Sequence, residues 1–375
     1  MPMPRKIRVL RVVIGLNQGG VQQGVLNLFR GLDPNRYEAI ACAIENTGAI
    51  GKEIEAAGFE VIVLGYKREM WKTINAIVKL IKEREIDIVH ASSYHPSLYA
   101  RIAGVIARAP VILSYEHVVF ENKRMPRVFA NKLLDYFTDG YTAVGEAVFK
   151  QVVDWYRYSP EKVHIIHNGV DTERFYPIEN KLNIKTKLEL SLDKPVIGMV
   201  SRLNKEKGHR FLFEAIACLR EEFDVQWLII GTGREDALIK QQAKDAGVDD
   251  CVLFMGLRRD IPDLLRALDI FVFPTLQEGF PNVLLEAMAS GCAVVASDFS
   301  GNLEVAEHER NALIVQMADS LALSVAIKRL LTSSEYAREL AKQARMDIVN
   351  NFSLQAYVGN MSKYYEQLCL DKGRV

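Results

Sequence analysis

Short apolar runs alternate along the chain with segments whose apolar positions recur at helical spacing. In the first part of the chain the apolar runs predict strands at residues 7–16, 37–44, 60–65, 87–91, 110–117, 140–144 and 163–166. The helically spaced segments predict helices at residues 21–32, 51–58, 71–85, 95–108 and 146–156. Buried strands that alternate with helices indicate a parallel, doubly wound sheet with right-handed crossovers.

The pattern breaks at residues 168–192, where turn residues, a proline and a lysine-rich run predict a linker between domains. It then restarts, with strands predicted at residues 195–200, 225–230, 251–255, 269–274 and 292–297. The matching helices are predicted at residues 208–222, 234–246, 261–267, from Pro281 onwards, and at 320–333, 335–350 and 354–370. The sequence therefore predicts an α/β protein of two doubly wound domains, residues 1–170 and 171–353.

Composition narrows the class of protein without naming an activity. A length of 375 residues suggests more than one hydrophobic core. Lys plus Arg equals Asp plus Glu at 47 each, so overall charge does not point to nucleic acid. The five cysteines form no CxxC pair, and no apolar run is long enough to span a membrane. We expect a cytoplasmic protein, with no signal peptide because no small-residue cleavage site follows the N-terminal apolar run.

One stretch, EGFPNVLLEAMASG (278–291), combines a helix start with two carboxylates. Pro281 suits a first helical turn, and the N–H groups and dipole of a helix start attract anions. Glu278 precedes this start, and Glu286 lies about 7–8 Å further along the axis. Carboxylates accept hydrogen bonds from sugar hydroxyls, so the stretch fits a ligand of the form sugar–diphosphate–ribose–base. Two solvated glutamates would give the same spacing.

A second stretch, SRLNKEKGH (201–209), follows the first strand of the second domain. Ligands of doubly wound sheets lie beyond the carboxyl ends of the strands. There Arg202 and Lys207 could neutralise a diphosphate, on which charge builds when a glycosidic bond breaks. Two solvated loop cations remain the alternative interpretation.

The first domain offers weaker candidates. Gly19 and Gly20 lie between a strand and a helix, which suits an approach to phosphate, although a tight turn explains them equally well and the GxGxxG fingerprint is absent. His90, Glu116 and His117 fall near strand ends, which makes them site candidates.

The stretch 120–137 is basic, aromatic and amphipathic. Its cations are Lys123, Arg124, Arg127 and Lys132, beside Phe129, Tyr136 and Phe137. Such a stretch could lie on a membrane surface or bind an anionic acceptor, and a half-buried helix with a solvated face is the alternative.

Taken in order, SRLNKEKGH, GTG, EGFPNVLLEAMASG and SGNLEVAEHERNALIV resemble the retaining glycosyltransferases of the GT-B fold, in family 4, glycosyl transferases group 1. The resemblance extends through the glycine pair, DIVHA, PVILSYEH and the hinge-like HNGVD, and so covers essentially the whole chain. It implies two Rossmann-like domains facing across a cleft, with the C-terminal helix 354–375 packed back on the first domain. It also implies chemistry that uses no metal. It implies no cofactor either, because the nucleotide-sugar is a substrate.

The resemblance assigns catalytic roles to four residues. Arg202 and Lys207 would hold the donor diphosphate, and Glu278 would bind hydroxyls of the transferred sugar. His117 would contact that sugar. Whether His117 also contacts the acceptor is left open.

The remaining assignments concern donor binding. Glu286 would bind the ribose, and residues 254–258, with Leu257 and Arg258, would flank the base. Gly19 and Gly20 would approach the phosphates. The N–H groups that would support sugar and phosphate belong to Gly279, Phe280 and Asn282.

The sequence also departs from the family pattern. Asn302 and Leu303 stand where the family often has a glycine and a proline, so Glu304 receives no role. His95 and Glu116 have no secure counterpart.

The predicted function is transfer of a sugar from a nucleotide-sugar, with UDP expected, to a glycan or glycolipid acceptor in cell-surface polysaccharide or glycoconjugate synthesis. A nucleotide-sugar epimerase or hydrolase and a non-catalytic partner subunit remain alternatives. A dehydrogenase is disfavoured because neither first turn carries GxGxxG. The expected partners are the donor and a glycan or lipid-linked acceptor, with peripheral contact to the inner membrane face and no nucleic acid.

Overall fold

A computed structural model describes residues 5–17, 19–117 and 124–374. Its contacts divide the chain into two compact units, residues 1–169 together with 354–375, and residues 170–353. Each unit is a parallel sheet flanked by helices, so the predicted pair of doubly wound α/β domains is confirmed. Lys123 and the start of the basic stretch lie outside the described residues.

The first unit is built on a parallel sheet in the order β3-β2-β1-β4-β5-β6-β7. Its strands are β1 (Ile7–Val13), β2 (Tyr37–Ala43), β3 (Glu60–Val63), β4 (Ile88–Ser92), β5 (Val111–Glu116), β6 (Gly140–Ala143) and β7 (Val163–Ile165). Its first helices are α1 (Gly20–Gly31), α2 (Gly48–Ala56), α3 (Met70–Glu83), α4 (Tyr94–Ala107), α5 (Met125–Asp135) and α6 (Glu146–Tyr156). β1 lies inside this sheet, in register with β2 (Val9↔Ala39) and with β4 (Val9↔Ile88).

The second unit has the sheet order β10-β9-β8-β11-β12-β13. Its strands are β8 (Val196–Val200), β9 (Gln226–Ile230), β10 (Val252–Gly256), β11 (Ile270–Phe273), β12 (Ala293–Ser297) and β13 (Leu313–Val315). Its helices are α7 (Leu182–Lys187), α8 (His209–Leu219), α9 (Asp236–Asp245), α10 (Ile261–Ala267), α11 (Asn282–Ala289), α12 (Ser300–Leu303), α13 (Ser320–Thr332) and α14 (Ser334–Asn351).

The last helix, α15 (Leu354–Asp371), packs on the first unit. Tyr357, Met361 and Tyr365 join the apolar core formed by β1, α1 and their neighbours. Tyr365 also makes a hydrogen bond of 2.7 Å between its hydroxyl and Nδ1 of His90, on β4. Part of the first unit's core therefore comes from residues far along the chain.

The segment 168–192 is not a free linker, which corrects the sequence prediction. It contains α7, and Phe175 and Leu188 are buried. Nζ of Lys181 lies 2.9 Å from the Asp269 carboxylate, and Arg345 donates to the Phe175 carbonyl at 2.7 Å. The second unit thus begins at Val170 and ends at Ser353. The lysines that give this segment its polar character form ion pairs within the second unit.

Within the described part of the chain, no helix combines the length and apolar character needed to cross a bilayer.

Candidate functional site

A cavity of about 540 Å³ opens in the second unit. Val200, Ile230 and Phe273 bring into its wall the carboxyl ends of β8, β9 and β11. β8 lies between β9 and β11, so the order of strands reverses there, and ligands of open parallel sheets bind at such a switch point. Its wall contains Arg202, Lys207, Leu257, Arg258, Glu278, Phe280, Asn282 and Glu286.

Two glycines let the loop 201–208 approach its neighbours closely. Gly231 has φ +133, and a Cβ there would lie 1.9 Å from the Ser201 carbonyl oxygen. Gly208 has φ +74, and its Cβ would lie 2.0 Å from the Pro274 carbonyl oxygen. Neither backbone conformation nor space suits a side chain, so both positions require glycine. The loop is thereby held against the ends of β9 and β11.

This loop places its two cations differently. The Arg202 side chain is exposed at the cavity, whereas Lys207 is buried. Lys207 Nζ pairs with the Glu278 carboxylate, and the two side chains are 6% and 26% exposed. The sequence analysis assigned separate ligand groups to Lys207 and Glu278 and did not predict this pair. A buried charge without a partner is costly, and in this contact each side chain supplies the other with an oppositely charged partner.

Glu286, the second carboxylate of the cavity wall, forms no ion pair with the residues that the structure describes. It lies on α11 and lines the cavity. Burial raises its pKa from 4.5 to about 7, and the nearby charge of Arg174 partly opposes that shift. Arg174, from the segment expected to be a linker, was not anticipated as a neighbour. At neutral pH this carboxyl group lies close to its titration midpoint.

The helix start differs in detail from the prediction. α11 begins at Asn282, and Pro281 occupies the position before its first turn. The Asn282 N–H donates to the Phe280 carbonyl at 3.0 Å, and the Leu284 N–H donates to Pro281 at 3.0 Å. Phe280 and Asn282, two of the three residues whose amides were expected to support sugar and phosphate, lie in the cavity wall, and Gly279 directly precedes them. The Asn282 N–H is already used by the Phe280 carbonyl, which corrects its assignment to a ligand.

The region expected to flank a base splits into two parts. Leu257 is 71% exposed at the cavity, which gives an apolar surface for a flat ring. The Arg258 guanidinium donates two hydrogen bonds to the Asp260 carboxylate, from Nε to Oδ1 at 2.8 Å and from Nη2 to Oδ2 at 2.5 Å. Phe254 instead packs against Phe213, with ring centroids 6.2 Å apart. Leu257 and Arg258 therefore face the cavity, and Phe254 belongs to the core.

The other predicted site residues belong to the first unit. His117 follows β5, and its ring stacks on Tyr115 at a centroid distance of 5.3 Å. Burial lowers its pKa to about 4, so the imidazole is neutral at physiological pH. Gly19 precedes α1 and Gly20 begins it, both exposed. Their roles toward a donor stay predictions.

Two strand-end candidates turn out to be internal. His90 is fully buried beneath α15, and burial lowers its pKa well below the ordinary value. The Glu116 carboxylate is buried and accepts hydrogen bonds from Ser114 at 2.8 Å and Tyr158 at 3.2 Å. Both side chains are used inside the fold, which corrects their proposal as site residues.

Arg11 on β1 was missed by the sequence analysis. It is 2% exposed and donates to Ser92 Oγ at 2.8 Å, and its Nε and Nη1 find no hydrogen-bond partner among the described residues. Its charge contributes to lowering the pKa of His117. In the sequence, such an arginine is visible only because it interrupts the hydrophobic run of the strand.

Each of the two units matches a known protein-family model. Residues 194–333 match the model described as glycosyl transferases group 1, and residues 18–174 match the model of glycosyltransferase family 4. The chain belongs to the family 4, group 1 glycosyltransferases. The resemblance to this family is thereby confirmed, and retention of configuration stays a prediction.

Relatives of this glycosyltransferase match over nearly the full length. A UDP-Gal:alpha-D-GlcNAc-diphosphoundecaprenol alpha-1,3-galactosyltransferase of Escherichia coli is 28% identical, covering 98% of each chain. A glycosyltransferase of Rickettsia africae has a TM-score of 0.86 at 22% identity, covering 97% of this chain and 98% of the other. HepE of Anabaena in complex with UDP has a TM-score of 0.85 at 20% identity, covering 96% and 100%. These structures share the two-domain GT-B fold with this chain.

In the described residues no group of three or more His, Cys, Asp or Glu side chains is arranged to hold a metal ion.

Proposed function

We propose that this glycosyltransferase transfers a sugar, with retention of configuration, from a UDP-sugar to a lipid-linked or glycan acceptor in cell-surface polysaccharide or glycoconjugate synthesis. The observation that carries the proposal is one cavity wall that combines Arg202 and Lys207 with Glu278 and Glu286. That wall offers cations for a diphosphate and carboxylates for hydroxyl groups on either side of it. The UDP-Gal donor and lipid diphosphate acceptor in the name of the Escherichia coli relative support the same substrate class.

The donor would lie along the wall from base to sugar. Leu257 would cover one face of the base, and Glu286 would accept hydrogen bonds from the ribose hydroxyls. Arg202 and Lys207 would hold the diphosphate, and Glu278 would accept hydrogen bonds from hydroxyls of the sugar. When a diphosphate enters, Lys207 gains a second anionic partner beside Glu278, so its charge is shared between leaving group and sugar-binding carboxylate.

In the chemical step the bond between the anomeric carbon and the diphosphate oxygen breaks, and a bond to the acceptor hydroxyl oxygen forms on the same face. The acceptor proton passes to the departing diphosphate. Arg202 and Lys207 stabilise the negative charge that develops there, and one preorganised donor of this kind is worth about 3–4 kcal/mol. We propose that these side chains neutralise the diphosphate without a metal ion or a cofactor. His117 of the first unit, held neutral, would contact the transferred sugar.

A thermal-shift screen tests the choice of nucleotide. Ligands that bind only the folded protein raise its melting temperature. We expect UDP and UDP-sugars to raise it and GDP and ADP to leave it nearly unchanged. A larger rise with GDP or ADP would contradict the UDP assignment and leave the transferase assignment standing.

The reaction itself is tested by incubating the protein with UDP-sugars, with and without a lipid diphosphate saccharide. Transfer predicts that UDP release depends on the acceptor and that the product carries the added sugar in the donor's anomeric configuration. Hydrolysis or epimerisation without acceptor would favour the rival enzyme. Donor binding without turnover across a broad acceptor panel would indicate a non-catalytic subunit.

A further inference from the structure

The motif SRLNKEKGH brings more to the cavity than its cations. Ser201, its first residue, directly follows β8 and lies in the same cavity wall as Arg202 and Lys207. His209, its last residue, begins α8 and is 1% exposed. Ser201 Oγ and His209 Nε2 lie 3.0 Å apart, so a hydrogen bond joins a residue of the cavity wall to a buried one. The proposed donor site uses neither side chain.

The backbone fixes both members of this pair. The Ser201 N–H donates to the Ile230 carbonyl at 3.0 Å, and Gly231 leaves room for the Ser201 carbonyl, which a Cβ there would approach to 1.9 Å. His209 follows Gly208, whose φ of +74 lets the loop turn into α8. The hydroxyl and the imidazole therefore meet at the end of a strand and the start of a helix, before any ligand arrives.

The His209 imidazole is neutral at physiological pH. Burial lowers its pKa to about 4, and the charge of Lys207 acts in the same direction, against smaller opposing effects of the Asn204 backbone and Glu206. A neutral imidazole carries one ring hydrogen, on either Nε2 or Nδ1. The pair is therefore uncharged, and the position of that hydrogen decides whether the ring or the hydroxyl donates.

Two observations assign the ring hydrogen to Nε2. Nδ1 has no hydrogen-bond partner among the described residues, so a hydrogen there would be a buried N–H without an acceptor, which is costly. The Ser201 hydroxyl can donate to the Arg202 carbonyl at 3.2 Å while it accepts from His209. That bond is long for a hydroxyl, for which about 2.7–2.8 Å is usual. The Ser201 proton can thus turn to a better acceptor at little cost.

We propose that Ser201 is a further ligand of the donor diphosphate and that His209 is its positioning residue. When the donor enters, the Ser201 hydroxyl turns from the Arg202 carbonyl to a phosphate oxygen, while His209 Nε2–H continues to donate to Ser201 Oγ. A charged oxygen is the stronger acceptor, and a hydroxyl that accepts one hydrogen bond donates the next more strongly. The inference rests on the proposed function and adds an uncharged donor to the two cations of the same loop.

Calorimetric titration with UDP and with uridine tests the contact. Ser201→Ala removes the hydroxyl, and we expect it to bind UDP about tenfold more weakly and uridine like wild type, because uridine lacks the diphosphate. Ser324→Ala is the matched control, since it removes a buried serine hydroxyl on α13, outside the cavity wall, and should bind both ligands like wild type. Unchanged UDP binding by Ser201→Ala, or an equal loss for UDP and uridine, would overturn the proposal.

Two variants of His209 test its positioning role. His209→Gln keeps a side-chain N–H that can donate to Ser201, whereas His209→Leu removes it. We expect His209→Leu to lose about as much UDP affinity as Ser201→Ala, with no further loss when the two are combined, and His209→Gln to bind close to wild type. Thermal unfolding checks that each variant is folded. Additive losses in a folded double variant would show that His209 does not act through Ser201.

Nitrogen NMR of the full chain with isotope-labelled histidine reads the ring hydrogen without any ligand. The His209 signals, identified by their absence in His209→Gln, should place the hydrogen on Nε2 at neutral pH. A hydrogen on Nδ1 would make Ser201 the donor to the ring and overturn the diphosphate contact.

The outcomes also separate this inference from the proposed function. UDP binding that is insensitive to Ser201→Ala refutes the inference alone, whereas absence of nucleotide binding by wild type refutes both. If wild type prefers another nucleoside diphosphate, the comparison is made with that diphosphate and its nucleoside, and the same results decide.

Discussion

The two sheets carry titratable residues near the same ends of their strands, and these residues have different surroundings. In the second unit, Lys207, Glu278 and Glu286 line an open cavity. In the first unit, His90 lies under α15 and Glu116 is bonded inside the fold. The strand-end position is therefore insufficient to identify a ligand site. What distinguishes the two regions is whether another element covers the side chain.

The two regions also differ in how they stabilise charge. Lys207 and Glu278 neutralise each other, and the pKa of Glu286 is raised so that part of its population is neutral. Arg11 is buried, and two of its nitrogens have no hydrogen-bond partner among the described residues. The paired charges of Lys207 and Glu278 face the cavity, where an arriving ligand can share them. Charges under α15 serve the packing of the first unit.

The largest effect should follow from Lys207→Ala. The variant loses the buried cation that we assign to the diphosphate, so we expect the transfer rate to fall by two or more orders of magnitude. Circular dichroism and thermal unfolding would check that the fold persists. Lys205→Ala is the matched control, because Lys205 lies in the same short 3-10 turn and is exposed. Equal rates in both variants would remove Lys207 from the diphosphate site.

Glu286→Gln should weaken UDP binding and change its pH dependence. The ionised carboxylate is the better acceptor for ribose hydroxyls, and its pKa of about 7 means that it becomes protonated as the pH falls below neutrality. We expect wild-type affinity to be about tenfold lower at pH 6 than at pH 8 from this group. In the variant only the titration of UDP itself should remain. Parallel pH profiles for the two proteins, measured by calorimetry, would contradict the ribose assignment.

The same variant should stabilise the protein at high pH. Because the folded pKa of Glu286 is above its ordinary value of 4.5, ionisation disfavours the folded state, fully so above about pH 7. We expect Glu286→Gln to raise the free energy of unfolding by about 1–3 kcal/mol at pH 8. The gain should shrink as the pH falls toward 4.5. A gain that is independent of pH would point to a cause other than this carboxylate.

A smaller effect of the opposite kind is expected in the first unit. Tyr365→Phe removes the hydroxyl that makes the buried hydrogen bond to His90, which should lower stability by about 1–2 kcal/mol. UDP affinity should stay unchanged, because the cavity wall lies in the second unit. Thermal unfolding and a UDP titration measure the two quantities. A loss of UDP affinity in a folded Tyr365→Phe protein would break the proposed separation between the regions.

The sequence predicts the architecture well because continuous apolar strands and helical spacing are local signals. The strands β1 and β8 begin within one residue of the predicted positions, and α6 and α10 match at both ends. β13 and α12, of three and four residues, are too short to produce such a pattern and were missed. The segment 168–192 was taken for a linker because the partners of its lysines lie far along the chain.

The side chains of the cavity wall could be singled out from motifs, and their pairing could not. The Lys207–Glu278 contact joins two loops 71 residues apart, and nothing in either motif states that the lysine is buried. The raised pKa of Glu286 depends on how the surrounding loops exclude water. These properties arise from tertiary contacts, which periodicity does not report.

The position of α15 in the first unit has a consequence for synthesis on the ribosome. Residues 170–353 are contiguous, so the second unit can complete its core as soon as they have emerged. The first unit, although made earlier, waits for Tyr357, Met361 and Tyr365 to cover its sheet. Nascent chains halted before α15 should therefore hold a finished C-terminal unit and an unfinished N-terminal one, which is the reverse of their order of translation.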